Sequence, residues 1–138
     1  MDKISTITAI SGWALPKKWF AKKVANAFPG IKIQVIYPET PEKLEEAQIL
    51  LRQYPADLYI GYSLGSLWLI KYSHLLPDTC IKVLLAPILS FLEKDGLGGT
   101  TSGAQLEYLF RKIKQASDQS TAVKSFFSYS DVPFSENL

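Results

Sequence analysis

Histidine and cysteine each occur once in these 138 residues, as His74 and Cys80. A single cysteine cannot close a disulfide within the chain and suits a reducing compartment, where Cys80 serves as a small apolar residue near the start of a strand. Charge is nearly balanced: a formal net charge of +2 gives no reason to expect a nucleic-acid partner. Nothing approaches the ~18 continuous apolar residues of a spanning helix. The start, Met1-Asp2-Lys3 followed by a short run holding two threonines and a serine, has no credible cleavage signal, so a cytoplasmic location with no membrane partner is expected. The glycine-rich stretch at 96–101 lacks the Gly-Lys-Ser/Thr ending of a phosphate loop, which argues against nucleotide. Internal repeats, an interdomain linker and signs of a cofactor or metal are also missing. What remains is a globular composition, 47% hydrophobic and 20% charged, in one domain that is short for an α/β enzyme.

Apolar periodicity lays out an alternation of strands and helices. Residues 4–10, 31–37, 57–60 and 81–86 read as strands. Residues 17–28 read as a helix with Phe20, Val24 and Phe28 on one face and Lys17, Lys18, Lys22 and Lys23 elsewhere, ended by Pro29-Gly30. Thr40-Pro41-Glu42 is a helix start that should run to about Gln53, burying Leu44, Ala47, Gln48 and Leu51. Residues 64–76 read as a helix that is apolar nearly all round. Alternation of this kind implies parallel strands joined by right-handed crossovers, with helices on both faces of the sheet. Beyond Pro87 the pattern changes. A flexible loop at 93–101 precedes two short amphipathic helices within 103–128, one striped by Leu106, Leu109, Phe110 and Ile113, the other by Val123, Phe126 and Phe127.

The residues that carry chemistry lie between the third strand and the third helix. Gly61-Tyr62-Ser63-Leu64-Gly65 is a G-x-S-x-G sequence with a strand before it and a helix after it. In that context the turn strains its central residue, small neighbours let strand and helix backbones approach, and a serine hydroxyl is presented at the positive end of a helix. A second stretch, Ile7 to Pro16, runs from a strand into a turn containing Ser11-Gly12-Trp13-Ala14.

Together the two stretches resemble the α/β-hydrolase family, and most nearly its small carboxylesterases of the pimeloyl-acyl-carrier-protein methyl ester esterase type. There a His-Gly-Trp-Gly-like loop precedes a Gly-Trp-Ser-Leu-Gly elbow; this chain departs from that pattern at Ser11, Ala14 and Tyr62. The resemblance covers roughly residues 4 to 135. It implies a three-layer sheet in the spatial order second, first, third, fourth strand, with residues 1–92 as the first part of the core and residues 93–138 as loop and helical lid of the same domain. It makes Ser63 the nucleophile and the backbone N–H groups of Trp13 and Leu64 the oxyanion donors. Trp13, Tyr62, Leu89, Phe110 and Phe126 are the residues expected to line an apolar acyl channel, each with an equal claim to the core. Arg111, Lys112, Lys114 and Lys124 would suit an acyl-carrier protein, or form a solvated face.

A serine nucleophile needs a base and usually an acid to orient it. His74 lies eleven residues beyond Ser63 on the same helical stretch, roughly 16 Å along the axis at 1.5 Å per residue, so it cannot serve within one subunit. Asp57 starts the strand that ends near Ser63, about 20 Å away. Glu93 and Asp95 follow the fourth strand on the proper side of the sheet, and Asp131 reads as a lid or turn residue. In the resembling family the acid and histidine follow later strands, so the chain is expected to be truncated after its lid, without those C-terminal strands. Two readings follow: a serine ester hydrolase acting on a small acyl ester or acyl-carrier ester, incomplete in this chain, or a non-catalytic remnant of the fold that binds an acyl ligand or a partner subunit. A sheet ending at its fourth strand would expose an edge, which favours homo-oligomers.

Overall fold

A computed structural model describes residues 3–12, 15–87, 89–97 and 99–115, and the chain divides at residue 88 into two units. In the first unit strands and helices alternate as β1 (Thr6–Ile10), α1 (Lys17–Ala27), β2 (Lys32–Ile36), α2 (Leu44–Gln53), β3 (Leu58–Tyr62), α3 (Leu64–Lys71) and β4 (Ile81–Leu85). All three strand pairings are parallel, in the order β2-β1-β3-β4. That is the order the resemblance implies, and it is an α/β architecture of a kind that many doubly wound sheets share.

Side chains alternate across the sheet with a period of two, and both faces are covered. Ile7 and Ala9 of β1, Val35 of β2, and Leu58 and Ile60 of β3 face one way and meet Phe20 and Val24 of α1. Ile10, Ile36 and Tyr59 face the other way and meet Ala47 and Leu51 of α2 with Trp68 and Leu69 of α3. The four-residue spacing of Phe20 and Val24 is what lets α1 present one apolar stripe to the sheet.

Two helices differ from their expected form. α2 begins at Leu44 rather than at Thr40-Pro41. The Glu46 carboxylate accepts the N–H groups of Glu39 and Thr40, each at 2.8 Å, and Lys43 N–H donates to the Thr40 carbonyl at 2.9 Å. The segment is thereby held as a turn, which suits the fixed φ of Pro41 as well as a helix start would. The buried face accordingly runs through Ala47 and Leu51, with Leu50 packed beside them. Leu44 is 42% exposed and Gln48 is also on the surface. α3 stops at Lys71 and gives way to a 3₁₀ turn at Ser73–Leu75, because the Ser73 hydroxyl bonds back to the Ile70 carbonyl at 2.9 Å and Pro77 bars continuation. Nor is α3 buried all round: Trp68 and Leu69 are enclosed, but Ile70 is 40% exposed.

In the second unit the stretch after residue 88 is folded on itself. Leu92 and Thr101 form a parallel bridge around a 3₁₀ turn at Glu93–Asp95, which closes at Gly96 with φ 63°. α4 (Gly103–Gln115) starts with a capping box: the Ser102 hydroxyl accepts the Gln105 N–H at 3.2 Å, and the Gln105 side chain accepts the Ser102 N–H at 2.9 Å. α4 supplies the first of the two expected helices, with Leu106, Leu109 and Ile113 half-buried. The second falls largely in residues 116–128, outside the described residues. Among the described residues no helix is long and apolar enough to cross a membrane.

Candidate nucleophile turn

Ser63 occupies the single residue between β3 and α3. Its backbone has φ 53° and ψ −116°, a conformation natural to glycine and costing a residue with a β-carbon on the order of 1–3 kcal/mol. Such strain persists only where the surroundings fix it from several sides, and here they do. Ser63 N–H donates to the Leu85 carbonyl of β4 at 2.9 Å, continuing the β3–β4 ladder one residue past Tyr62. Ser63 C=O accepts the Ser66 N–H at 2.9 Å and opens the first turn of α3.

The two glycines are required by contact. A β-carbon on Gly61 would lie 2.6 Å from both the Gly65 oxygen and the Ser66 α-carbon, and one on Gly65 would run into the Ile10 carbonyl with the Ser11 oxygen 2.8 Å away. The close packing of β1, β3 and the start of α3 therefore depends on both. Gly12 completes the enclosure: a β-carbon there would be 3.3 Å from the Ser63 β-carbon and 3.1 Å from the Tyr62 oxygen. The exit of β1 thus lies against the serine turn. Ser11 and Gly12 are both buried.

The expected site residues are distributed as follows. Ser63 and Leu64 are together at the β3–α3 junction and both half-buried. Leu64 is the first residue of α3, where N–H groups have no intrahelical acceptor and the helix dipole is positive. Tyr62 is half-buried on the α1 side, its ring 5.8 Å from that of Phe20. Leu89 and Phe110 belong to the second unit, 49% and 51% exposed respectively. Trp13 and Phe126 lie outside the described residues, as do Asp131 and Lys124.

His74 sits in the 3₁₀ turn after α3, exposed, with its ring 6.5 Å from that of Tyr72. It lies beyond the opposite end of α3 from Ser63. Asp57 is engaged elsewhere: one carboxylate oxygen accepts the Ser5 N–H at 2.8 Å, the Ser5 hydroxyl at 2.8 Å and the Thr6 N–H at 3.1 Å. These bonds, the Ser5 N–H foremost, hold its pKa below the ordinary carboxylate value. It ties β1 to β3 at their N-terminal ends. The Asp95 carboxylate accepts the Ser90 hydroxyl within the second unit. No group of three or more metal-ligating side chains occurs among the described residues.

Two features were not singled out by sequence reasoning. Ser66, completely buried, places its hydroxyl 2.6 Å from the Gly61 carbonyl and 3.0 Å from the Leu85 carbonyl. Ala86, the residue after β4, is the only other described residue besides glycine with positive φ, at 45°. It precedes Pro87, which restricts its backbone further. A Ser-x-x-Ser spacing was legible but unremarkable, and alanine gives no sequence signal for positive φ.

Chemically the turn offers a serine hydroxyl at a helix N-terminus, the amides of Leu64 and Gly65 for which the helix itself has no acceptor, and a close-packed backbone floor from β1. Comparison with models of known families, with curated proteins and with solved structures found no match to this chain.

Proposed function

We propose that this chain carries the nucleophile and oxyanion-binding half of an α/β-hydrolase-type serine ester hydrolase, acting on a carboxylic ester of a small acyl group or of an acyl-carrier protein. The observation that supports it is the backbone of Ser63, strained at φ 53° between a buried strand and a helix. In the proposed step the Ser63 oxygen attacks the acyl carbonyl as a base removes its proton. The resulting oxyanion is held by the Leu64 amide and, as the resemblance implies, that of Trp13. The alkoxide then leaves with a proton, and water releases the acyl group.

A second reading has its own support. The only histidine of these 138 residues, His74, is at the far end of α3, so no imidazole within them serves Ser63. A hydrolase-fold module that binds an acyl ligand or a partner subunit without turning over accounts for that directly.

Added imidazole separates the two. The 138-residue chain is assayed on p-nitrophenyl butyrate with and without imidazole, beside Ser63→Ala. Turnover without imidazole is expected close to background, since loss of a triad member leaves ~10³–10⁴-fold over water at best. A hydrolase short of its base gains an imidazole-dependent rate that Ser63→Ala lacks. Identical imidazole dependence in the two proteins supports the binding module.

A further inference from the structure

The Leu85 carbonyl, at the last residue of β4, accepts twice: from the Ser63 N–H at 2.9 Å and from the Ser66 hydroxyl at 3.0 Å. Both donors flank the strained turn, one at its apex and one three residues into α3. A carbonyl oxygen has two lone pairs, so this acceptor is filled by the serine turn alone. The Ser66 hydroxyl also reaches the Gly61 carbonyl at 2.6 Å, two residues before Ser63. It has one proton and two acceptors within range, so the proton is shared between the strand that enters the turn and the strand beside it. Ser66 is completely buried; its bond to Gly61 is buried and its bond to Leu85 part-buried. The chain then leaves β4 through Ala86, itself at positive φ and followed by proline. Two residues with β-carbons in glycine-like conformations thus sit at the ends of adjacent strands, joined through one carbonyl.

We infer that Ser66 and the Leu85 carbonyl form a clamp that holds the Ser63 turn in its strained conformation, and that Ser66 is a positioning residue for the Ser63 hydroxyl. Ser66 touches no reacting atom. Its role is to lock Gly61 and Leu85 to the base of α3, so that relaxation of φ at Ser63 would break hydrogen bonds on both strands, the one to Gly61 buried and the one to Leu85 part-buried. The link to catalysis rests on the hydrolase reading above; the clamp itself does not.

The test reads the two separately. Amide hydrogen exchange on the whole chain reports the clamp. In the unsubstituted protein the Ser63 amide should be protected to the level of the β3–β4 ladder. In Ser66→Ala it should exchange at least tenfold faster, while amides of the β1–β3 ladder keep their rates. A general loss of stability would accelerate all of them by one factor. Imidazole-dependent turnover of p-nitrophenyl butyrate reports the link to Ser63, and in Ser66→Ala it should fall at least tenfold in kcat with little change in KM. An unprotected Ser63 amide in the unsubstituted protein, which requires no variant to fold, overturns the clamp. So does an exchange rate in Ser66→Ala that is unchanged or raised in step with the β1–β3 amides. Selective acceleration at Ser63 in a protein without imidazole-dependent turnover overturns the hydrolase reading and leaves the clamp standing.

Discussion

β3 and β4 are neighbours of equal length, and β4 (Ile-Lys-Val-Leu-Leu) has no less aliphatic character than β3 (Leu-Tyr-Ile-Gly-Tyr). Their surroundings are nevertheless opposite. Leu58, Tyr59 and Ile60 of β3 are 2–3% exposed, whereas Ile81, Leu84 and Leu85 of β4 are 37–42% exposed. The difference is positional. β3 lies between β1 and β4 with helices over both faces, and β4 is the end strand of the described sheet. The serine turn spans the two. On one side it rests on the close-packed backbones of Ile10, Ser11 and Gly12, and on the other it hangs from a single carbonyl of the exposed strand. The geometry of Ser63 is thus set jointly by an enclosed strand and an exposed one.

The contrast is broken most severely by truncating each strand in turn. Ile60→Ala should cost about 2–5 kcal/mol, as buried isoleucine truncations do. Leu84→Ala, with water already at its side chain, should cost less than about 1 kcal/mol. Urea unfolding of the two variants measures the difference, and equal losses would mean that β4 is as enclosed as β3.

Next in size is the floor of the turn. Gly65→Ala forces a β-carbon onto the Ile10 carbonyl, a backbone neighbour that cannot rotate away, and should destabilise by about 3 kcal/mol. Gly30→Ala provides the comparison. No atom lies within 4 Å of a β-carbon there, leaving only the strain of φ 78°, about 1–2 kcal/mol.

A smaller effect of opposite sign is expected at the turn itself. Ser63→Gly removes the strain of φ 53° and should raise stability by about 1 kcal/mol while deleting the hydroxyl. A stability loss in Ser63→Gly would show that the turn is not strained.

The smallest effect concerns pH. Hydrogen bonds from Ser5 and Thr6 lower the pKa of Asp57 in the folded protein. Its contribution is therefore fully present above the unfolded carboxylate value, about pH 4, and is lost as pH falls through the depressed folded value. Asp57→Asn should flatten the loss of stability between neutral and acidic pH. A variant whose urea midpoint falls as steeply as that of the unsubstituted chain would show that these bonds do not favour the carboxylate.

Much of this was legible because it follows from local rules. Strand and helix alternation, the placement of Ser63 between β3 and α3, and the remoteness of His74 all come from periodicity, glycine spacing and helix rise. The start of α2 was not, because the Glu46 carboxylate reaches back six and seven residues to cap Thr40 and Glu39, a tertiary choice that Thr40-Pro41 does not announce. Likewise the role of Ser66 depends on Leu85, nineteen residues away, and the positive φ of Ala86 has no signal in an alanine. Sequence patterns report what a segment prefers; the first two of these features record what its neighbours demand.

The central claim is that one serine of this chain is held in a geometry that makes it a nucleophile. The direct measurement is exposure of the folded 138-residue protein to an alkyl fluorophosphonate, followed by intact mass and peptide mapping. A single adduct is expected, on Ser63, forming slowly and faster with added imidazole, and absent from Ser63→Ala. No adduct at all, or adducts spread over several serines with Ser63 no faster than the rest, would contradict it.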